Sequence, residues 1–106
     1  VSLREYYPDY DLGVSLDERR STYKFDSTCQ GSVPQSIQCV LESNSYEETI
    51  GLAISMGGDS DTMAAISGSI AGCMWEIPDN LVDFAYKRLD RRMIKVIEDF
   101  DKFIGR

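Results

Sequence analysis

From Thr62 to Trp75 the chain carries no charged side chain, and this run is entered through Gly57-Gly58-Asp59-Ser60-Asp61. Ala64, Ala65, Gly68, Ser69, Ala71 and Gly72 crowd one region of its helical wheel, while Met63, Ile66 and Ile70 take another. A helix without charge around its circumference is expected to be buried on nearly all sides. Each glycine inside it costs about 1 kcal/mol relative to alanine, which suggests close helix packing. The run is shorter than the roughly 20 apolar residues a membrane span needs, and it is interrupted by glycine.

The acidic turn before this run carries the chemistry. Two residues apart within a regular helix, Asp59 and Asp61 would point about 200° apart and share nothing. If Asp59 precedes the helix and Asp61 opens it, alternate side chains point the same way and the carboxylates converge, with Thr62 adding a hydroxyl. Three hard oxygens suit Mg2+, Mn2+ or Ca2+ better than zinc or copper. There is no histidine, which removes the usual zinc sites and any Ser-His-Asp triad. The same residues are also what a helix stop followed by an N-cap uses, so the local pattern admits a purely structural reading. The two readings are compatible, because a helix N-terminus keeps carboxylates ionised.

Elsewhere the pattern is helical. Residues 1–31 read as an irregular opening segment rich in tyrosine, within which only Ser15 to Arg20 forms a short helix and in which Asp9 and Asp11 lie. Ser32, with Gln35 three residues on and Pro34 in the first turn, is expected to cap a helix through Ile37, Val40 and Leu41. Ser45 and Glu48 repeat that capping spacing and open a helix with Ile50, Ala53 and Ile54 on its apolar side, stopped by Gly57-Gly58. Pro78 starts a segment whose face is Leu81, Phe84, Ala85 and Leu89, and a final helix follows through Met93, Val96, Ile97, Phe100 and Phe103. Its charged side, including Asp99 three residues before Lys102, reads as a solvated face. The expected fold is all-α, an orthogonal multi-helix bundle of about five helices, with residues 32–106 forming the helical body.

Three cysteines, Cys29, Cys39 and Cys73, form no Cys-x-x-Cys pair, so neither a disulfide framework nor a thiolate metal site is indicated. Cys39 and Cys73 are expected to be buried free thiols. This usage, and the absence of a basic and apolar leader, makes the cytoplasm the expected compartment. A net charge of −7 argues against binding a nucleic-acid backbone, and no membrane association is expected. At this length any face made for a partner matters, and an exposed apolar face would favour self-association into a homo-oligomer.

Four pieces resemble, in order, the C-terminal part of the ADP-ribosylglycohydrolase family. They are Tyr23-Lys24-Phe25-Asp26 leading to Cys29-Gln30-Gly31-Ser32-Val33-Pro34-Gln35-Ser36-Ile37, then Ser45-Tyr46-Glu47-Glu48-Thr49-Ile50, then Ala53 through Thr62 with its Gly-Gly-Asp-Ser-Asp-Thr, then Ala64 through Gly72 with Ile77-Pro78 beyond. The resemblance implies an all-helical hydrolase that removes ADP-ribose from modified substrates with a two-metal cluster of Mg2+ or Mn2+. On it, Asp59, Asp61 and Thr62 fall on the family's downstream metal ligands, and Gly57, Gly58 and Ser60 shape the ligand turn. Ser32, Val33 and Pro34 fall near the ADP-ribose. Members are considerably longer, and their upstream half supplies a glycine-rich first helix, a catalytic glutamate and a Thr-Asp-Asp ligand set that this sequence lacks. The resemblance therefore implies a fragment opening at Val1, natural, cut or cloned, that holds half of a binuclear site, has no catalytic residue of its own and is completed by a missing N-terminal half or complementing chain. The alternative is a non-catalytic helical module acting through a protein partner.

Overall fold

The computed structural model describes residues 12–26 and 28–105. Among them are six α-helices and no strand: α1 (Leu16–Arg20), α2 (Cys29–Leu41), α3 (Tyr46–Ser55), α4 (Ser60–Met74), α5 (Asp79–Tyr86) and α6 (Arg91–Phe103). This is the expected all-α architecture, five longer helices plus the short α1. Most of the opening segment, with Asp9 and Asp11, lies outside the described residues. The backbone divides into two compact units, Val1–Glu76 and Ile77–Arg106.

In the first unit, α4 packs against α3 and α2. α1 starts at Ser15, whose hydroxyl accepts from the Glu18 N–H at 3.2 Å. The Glu42 carboxylate, just past the end of α2, accepts from the Leu16 N–H at 2.9 Å and from the Gln38 amide at 2.7 Å. It thereby satisfies a helix-start donor and fastens the opening segment to α2. Leu16, Cys39, Ala53, Met56 and Met63 form the core, with Tyr23, Leu52 and Ala64 packed around them.

The start of α2 differs from the sequence expectation. Thr28, not Ser32, is the N-cap, accepting from the Gly31 N–H at 3.1 Å. Asp26 fixes Thr28 in turn, accepting from its N–H at 2.9 Å and its hydroxyl at 2.6 Å. Gly31 is required there, because a Cβ would overlap the Asp26 carboxyl group. Ser32 sits in the second turn, its hydroxyl donating to the Thr28 carbonyl at 2.7 Å. Pro34 is consequently interior to the helix. Its missing N–H leaves the Gln30 carbonyl without an intrahelical donor, which is tolerable because Gln30 is exposed.

α3 begins as expected, with the Ser45 hydroxyl accepting from the Glu48 N–H at 3.1 Å. Its buried face is Thr49, Ala53 and, at the C-cap, Met56, whereas Ile54 is 60% exposed. Small side chains at 49 and 53 bring α4 close, so close that a Cβ on Gly68 would lie 3.1 Å from both Ile50 Cδ1 and the Tyr46 hydroxyl. Ser67 donates to the Ser36 carbonyl at 2.8 Å, a buried bond between α4 and α2.

α4 is not buried on all sides. Met63, Ser67, Gly68 and Ala71 are buried, but Ala65, Ser69, Gly72, Cys73 and Met74 are exposed. Two neighbouring helices cover one side of a cylinder, and lack of charge on the other side does not supply a third. Cys73 is accordingly exposed, with its thiol near the Ser69 carbonyl, whereas Cys39 is buried as expected.

The second unit holds α5 and α6. Asp90 caps α6 by accepting from the Met93 N–H at 2.9 Å. Neither helix contains a buried residue. Of the two expected apolar faces, Leu81, Leu89 and Ile97 are half-buried, while Phe84, Met93, Val96, Phe100 and Phe103 are exposed. Arg88 covers the Phe84 ring at 4.6 Å. Asp99 pairs with Lys95 at 3.2 Å, four residues back, where the sequence spacing suggested Lys102. No helix among the described residues is long and apolar enough to cross a membrane.

Candidate metal-binding site

α3 ends through two consecutive left-handed residues, Gly57 at φ 74° and Gly58 at φ 62°. Side chains disfavour that region by roughly 1–2 kcal/mol, so the reversal from α3 into α4 calls for glycine. Gly58 has a second constraint. A Cβ there would lie 2.9 Å from Tyr23 Cε2 and 3.2 Å from Phe25 Cα, whereas at Gly57 it would meet nothing.

Asp59 follows as the residue before α4, with φ −83° and ψ 59°, and its carboxylate makes no capping hydrogen bond. Its carbonyl accepts from the Met63 N–H at 3.1 Å, which starts the helix, and Asp61 is the second helical residue. Asp59 therefore stands outside the helix and Asp61 within its first turn, the placement that two convergent carboxylates require. The Asp61 carboxyl is held below the ordinary aspartate range, first by the neighbouring Asp59 side chain and then by the Thr62 backbone N–H, from which it accepts a hydrogen bond at 2.9 Å. The Asp59 carboxylate is thus not consumed by capping, the role the structural reading gave it.

Asp59 and Ser60 are half-buried, and Asp61 and Thr62 are exposed at the turn's rim. Met63, the next residue, is fully buried and anchors the turn to the core. Two carboxylates and a hydroxyl are a hard-oxygen donor set that fits Mg2+ or Mn2+ in kind but not in number, since such ions take about six oxygen ligands. Among the described residues, no group of three or more Asp, Glu, Cys or His side chains is placed to hold a metal.

Beside the turn lies an open pocket of about 430 Å³, walled by Tyr23, Lys24, Phe25, Asp26, Gln30 and Gln35, with Arg19, Thr22 and Gly31 completing it. Asp59 and Asp61 do not line it. It adjoins them through Tyr23 and Phe25, the two residues packed on Gly58. Thr28 hydrogen bonds, from the hydroxyl and then the backbone, hold the Asp26 carboxyl low. Burial raises the Tyr23 phenol, with the charges of Asp26 and then Asp59 adding to it. The Gln35 side-chain oxygen Oε1 is buried without a hydrogen-bond partner among the described residues. Of the positions expected near a ligand, Ser32 and Pro34 are buried within α2 and Val33 half-buried. Gln30, Gly31 and Gln35 are the α2 residues that reach the pocket. The sequence reading treated residues 23–26 only as a lead-in to α2. The alternation of aromatic and charged side chains in Tyr23-Lys24-Phe25-Asp26 was the available sign of a pocket wall.

Burial pushes the Cys39 thiol up to about 11, so it is no nucleophile.

The described residues form an all-helical unit that sets two carboxylates at a glycine-broken helix start. The sequence model of the ADP-ribosylglycohydrolase family matches residues 4–102, and the chain belongs to this family. No curated protein and no solved structure matches it.

Proposed function

We propose that this chain supplies the downstream ligand turn of a metal-dependent hydrolase that cleaves ADP-ribose from modified substrates, and that it does not turn over substrate alone. The observation that carries the reading is the placement of the two carboxyls, Asp59 just before α4 with no capping bond and Asp61 in the first turn of that helix. Asp59, Asp61 and Thr62 are the proposed ligands, with Mg2+ or Mn2+ the cations of the appropriate hardness. Gly57 and Gly58 permit the turn's backbone, and Ser60 holds the spacing between the carboxylates. Met63 keeps the first turn of α4 in place, so the carboxylates need little ordering on binding. A divalent ion bound there would orient the ribose hydroxyls and lower the pKa of a bound water. Lys24 and the Tyr23 and Phe25 rings give the adjoining pocket a cation and aromatic faces, a match for a diphosphate-bearing nucleotide. The remaining ligands and the acid–base group belong to a complementing segment.

The exposed apolar side chains Met93, Val96, Phe100 and Phe103 favour a second reading, a module that works through a protein partner. The two readings separate in one experiment. Mn2+ titrated into the 106-residue chain should broaden the NMR signals of Asp59, Asp61 and Thr62 selectively, and the chain should release no ADP-ribose from a modified protein until an upstream half is added. Broadening spread evenly over the many surface carboxylates would remove the metal assignment. Metal-dependent turnover by the chain alone would remove the claim that the site is incomplete.

A further inference from the structure

We propose that Tyr23 is the positioning residue of the carboxylate turn, a role that rests on Asp59, Asp61 and Thr62 being the metal ligands. Its phenol bears on the ligand segment from both sides. The ring edge lies against Gly58, the residue before Asp59, closely enough that a Cβ there would be 2.9 Å away. The hydroxyl lies 3.3 Å from the sulfur of Met63, the residue after Thr62. The same hydroxyl donates to the Gly31 carbonyl at 2.7 Å, and this is the stronger of its two contacts, since a thioether is a weak acceptor. One side chain therefore ties both ends of the segment 58–63 to the first turn of α2. Beyond Tyr23, the segment is held by the burial of Met63 at its far end and by the Phe25 backbone against Gly58. Gly57 stands in open space, both glycines are left-handed, and Asp59 makes no capping bond. Metal ligands held by a packed support bind without first being ordered, and a ligand turn built on two glycines needs such a support.

The test uses the whole chain and two variants. Tyr23→Phe keeps the ring against Gly58 and removes the hydroxyl, and Tyr23→Leu removes the planar ring as well. Amide hydrogen exchange is read at Thr62 and Met63, whose N–H groups are bonded to Asp61 Oδ1 and the Asp59 carbonyl. The Mn2+ concentration giving half-maximal broadening at Asp59 and Asp61 is read beside it. In Tyr23→Phe, exchange at Thr62 and Met63 should quicken and the Mn2+ concentration should rise, each roughly 3- to 10-fold, the size of one hydrogen bond. Amides in the middle of α3 should exchange as in the parent, and Tyr23→Leu should be worse on both readouts. Unchanged exchange and unchanged Mn2+ response in both variants overturn the proposal. So does exchange that quickens equally in every helix, which would make Tyr23 an ordinary core residue. If the parent chain shows no selective Mn2+ broadening while the local exchange effect holds, the ligand reading fails and the mechanical role of Tyr23 in the turn stands.

Discussion

Alanine substituted at Gly57 and at Gly58 separates backbone strain from close packing, because the two residues share a left-handed conformation and differ in what surrounds them. At Gly57 the only penalty is conformational, about 1–2 kcal/mol for an L-residue at positive φ. The reduced freedom of the unfolded chain offsets it by about 0.4–1 kcal/mol. Gly57→Ala should therefore cost about 0.5–1 kcal/mol. Gly58→Ala carries the same net strain and also drives a methyl group to 2.9 Å from the Tyr23 ring and 3.2 Å from the Phe25 Cα. The Phe25 contact is backbone and cannot swing aside, so overpacking adds about 1–3 kcal/mol. The total for Gly58→Ala is about 1.5–4 kcal/mol, which for a unit this small is a fall in Tm on the order of 10 °C. Urea unfolding followed by far-ultraviolet circular dichroism measures both variants on one scale. Equal losses for the two, or a larger loss at Gly57, would refute the account of the turn as wedged against Tyr23.

Asp61→Asn should raise the Mn2+ concentration needed for selective broadening by more than about tenfold, the scale of one lost charge-assisted contact, while leaving the helical circular dichroism unchanged. Ser67→Ala removes the buried bond to the Ser36 carbonyl and should cost about 1–2 kcal/mol, while Ser69→Ala, on the exposed side of the same helix, should change the urea midpoint little. Ellman's reagent should react promptly with Cys29 and Cys73 in the native chain and with Cys39 only on unfolding, as their exposure dictates. The Asp26 carboxyl is depressed in the folded state by Thr28, so its contribution is present above the unfolded value near 3.8 and is lost as pH falls through the folded value. Acid titration of the urea midpoint should show that loss in the parent and a smaller one in Asp26→Asn, which keeps an acceptor for Thr28 but does not titrate.

Much of the helical layout could be read directly. Ser45 with Glu48 marks a helix start because a single hydroxyl satisfies an orphan donor, and the structure forms that bond. The break before α4 was equally legible, since the wheel angle between Asp59 and Asp61 excludes a shared site inside a helix. Ser32 misled because a capping pattern is blind to a better cap upstream, where Asp26 orients Thr28. Misjudgement of α4 has a different origin. Absence of charge reports only that burial is permitted, and the exposure of Ala65, Gly72 and Cys73 shows that neighbours decide whether it happens. The pocket escaped because its walls come from α1, residues 22–26 and the first turns of α2, a junction no periodicity describes.

The outward side of α4 sets how the chain behaves as a material. Methyl, sulfur and hydroxyl groups face water there with no charge from Thr62 to the end of the helix, so most of the electrostatic repulsion between molecules has to come from the acidic residues elsewhere that make the net charge −7. That repulsion fades within about 10 Å at 0.1 M salt and within about 3 Å at 1 M. Low ionic strength and neutral pH are therefore the conditions in which concentrated solutions stay clear. Added salt, or acidification that neutralises the carboxylates, should bring on clouding well before the helices melt.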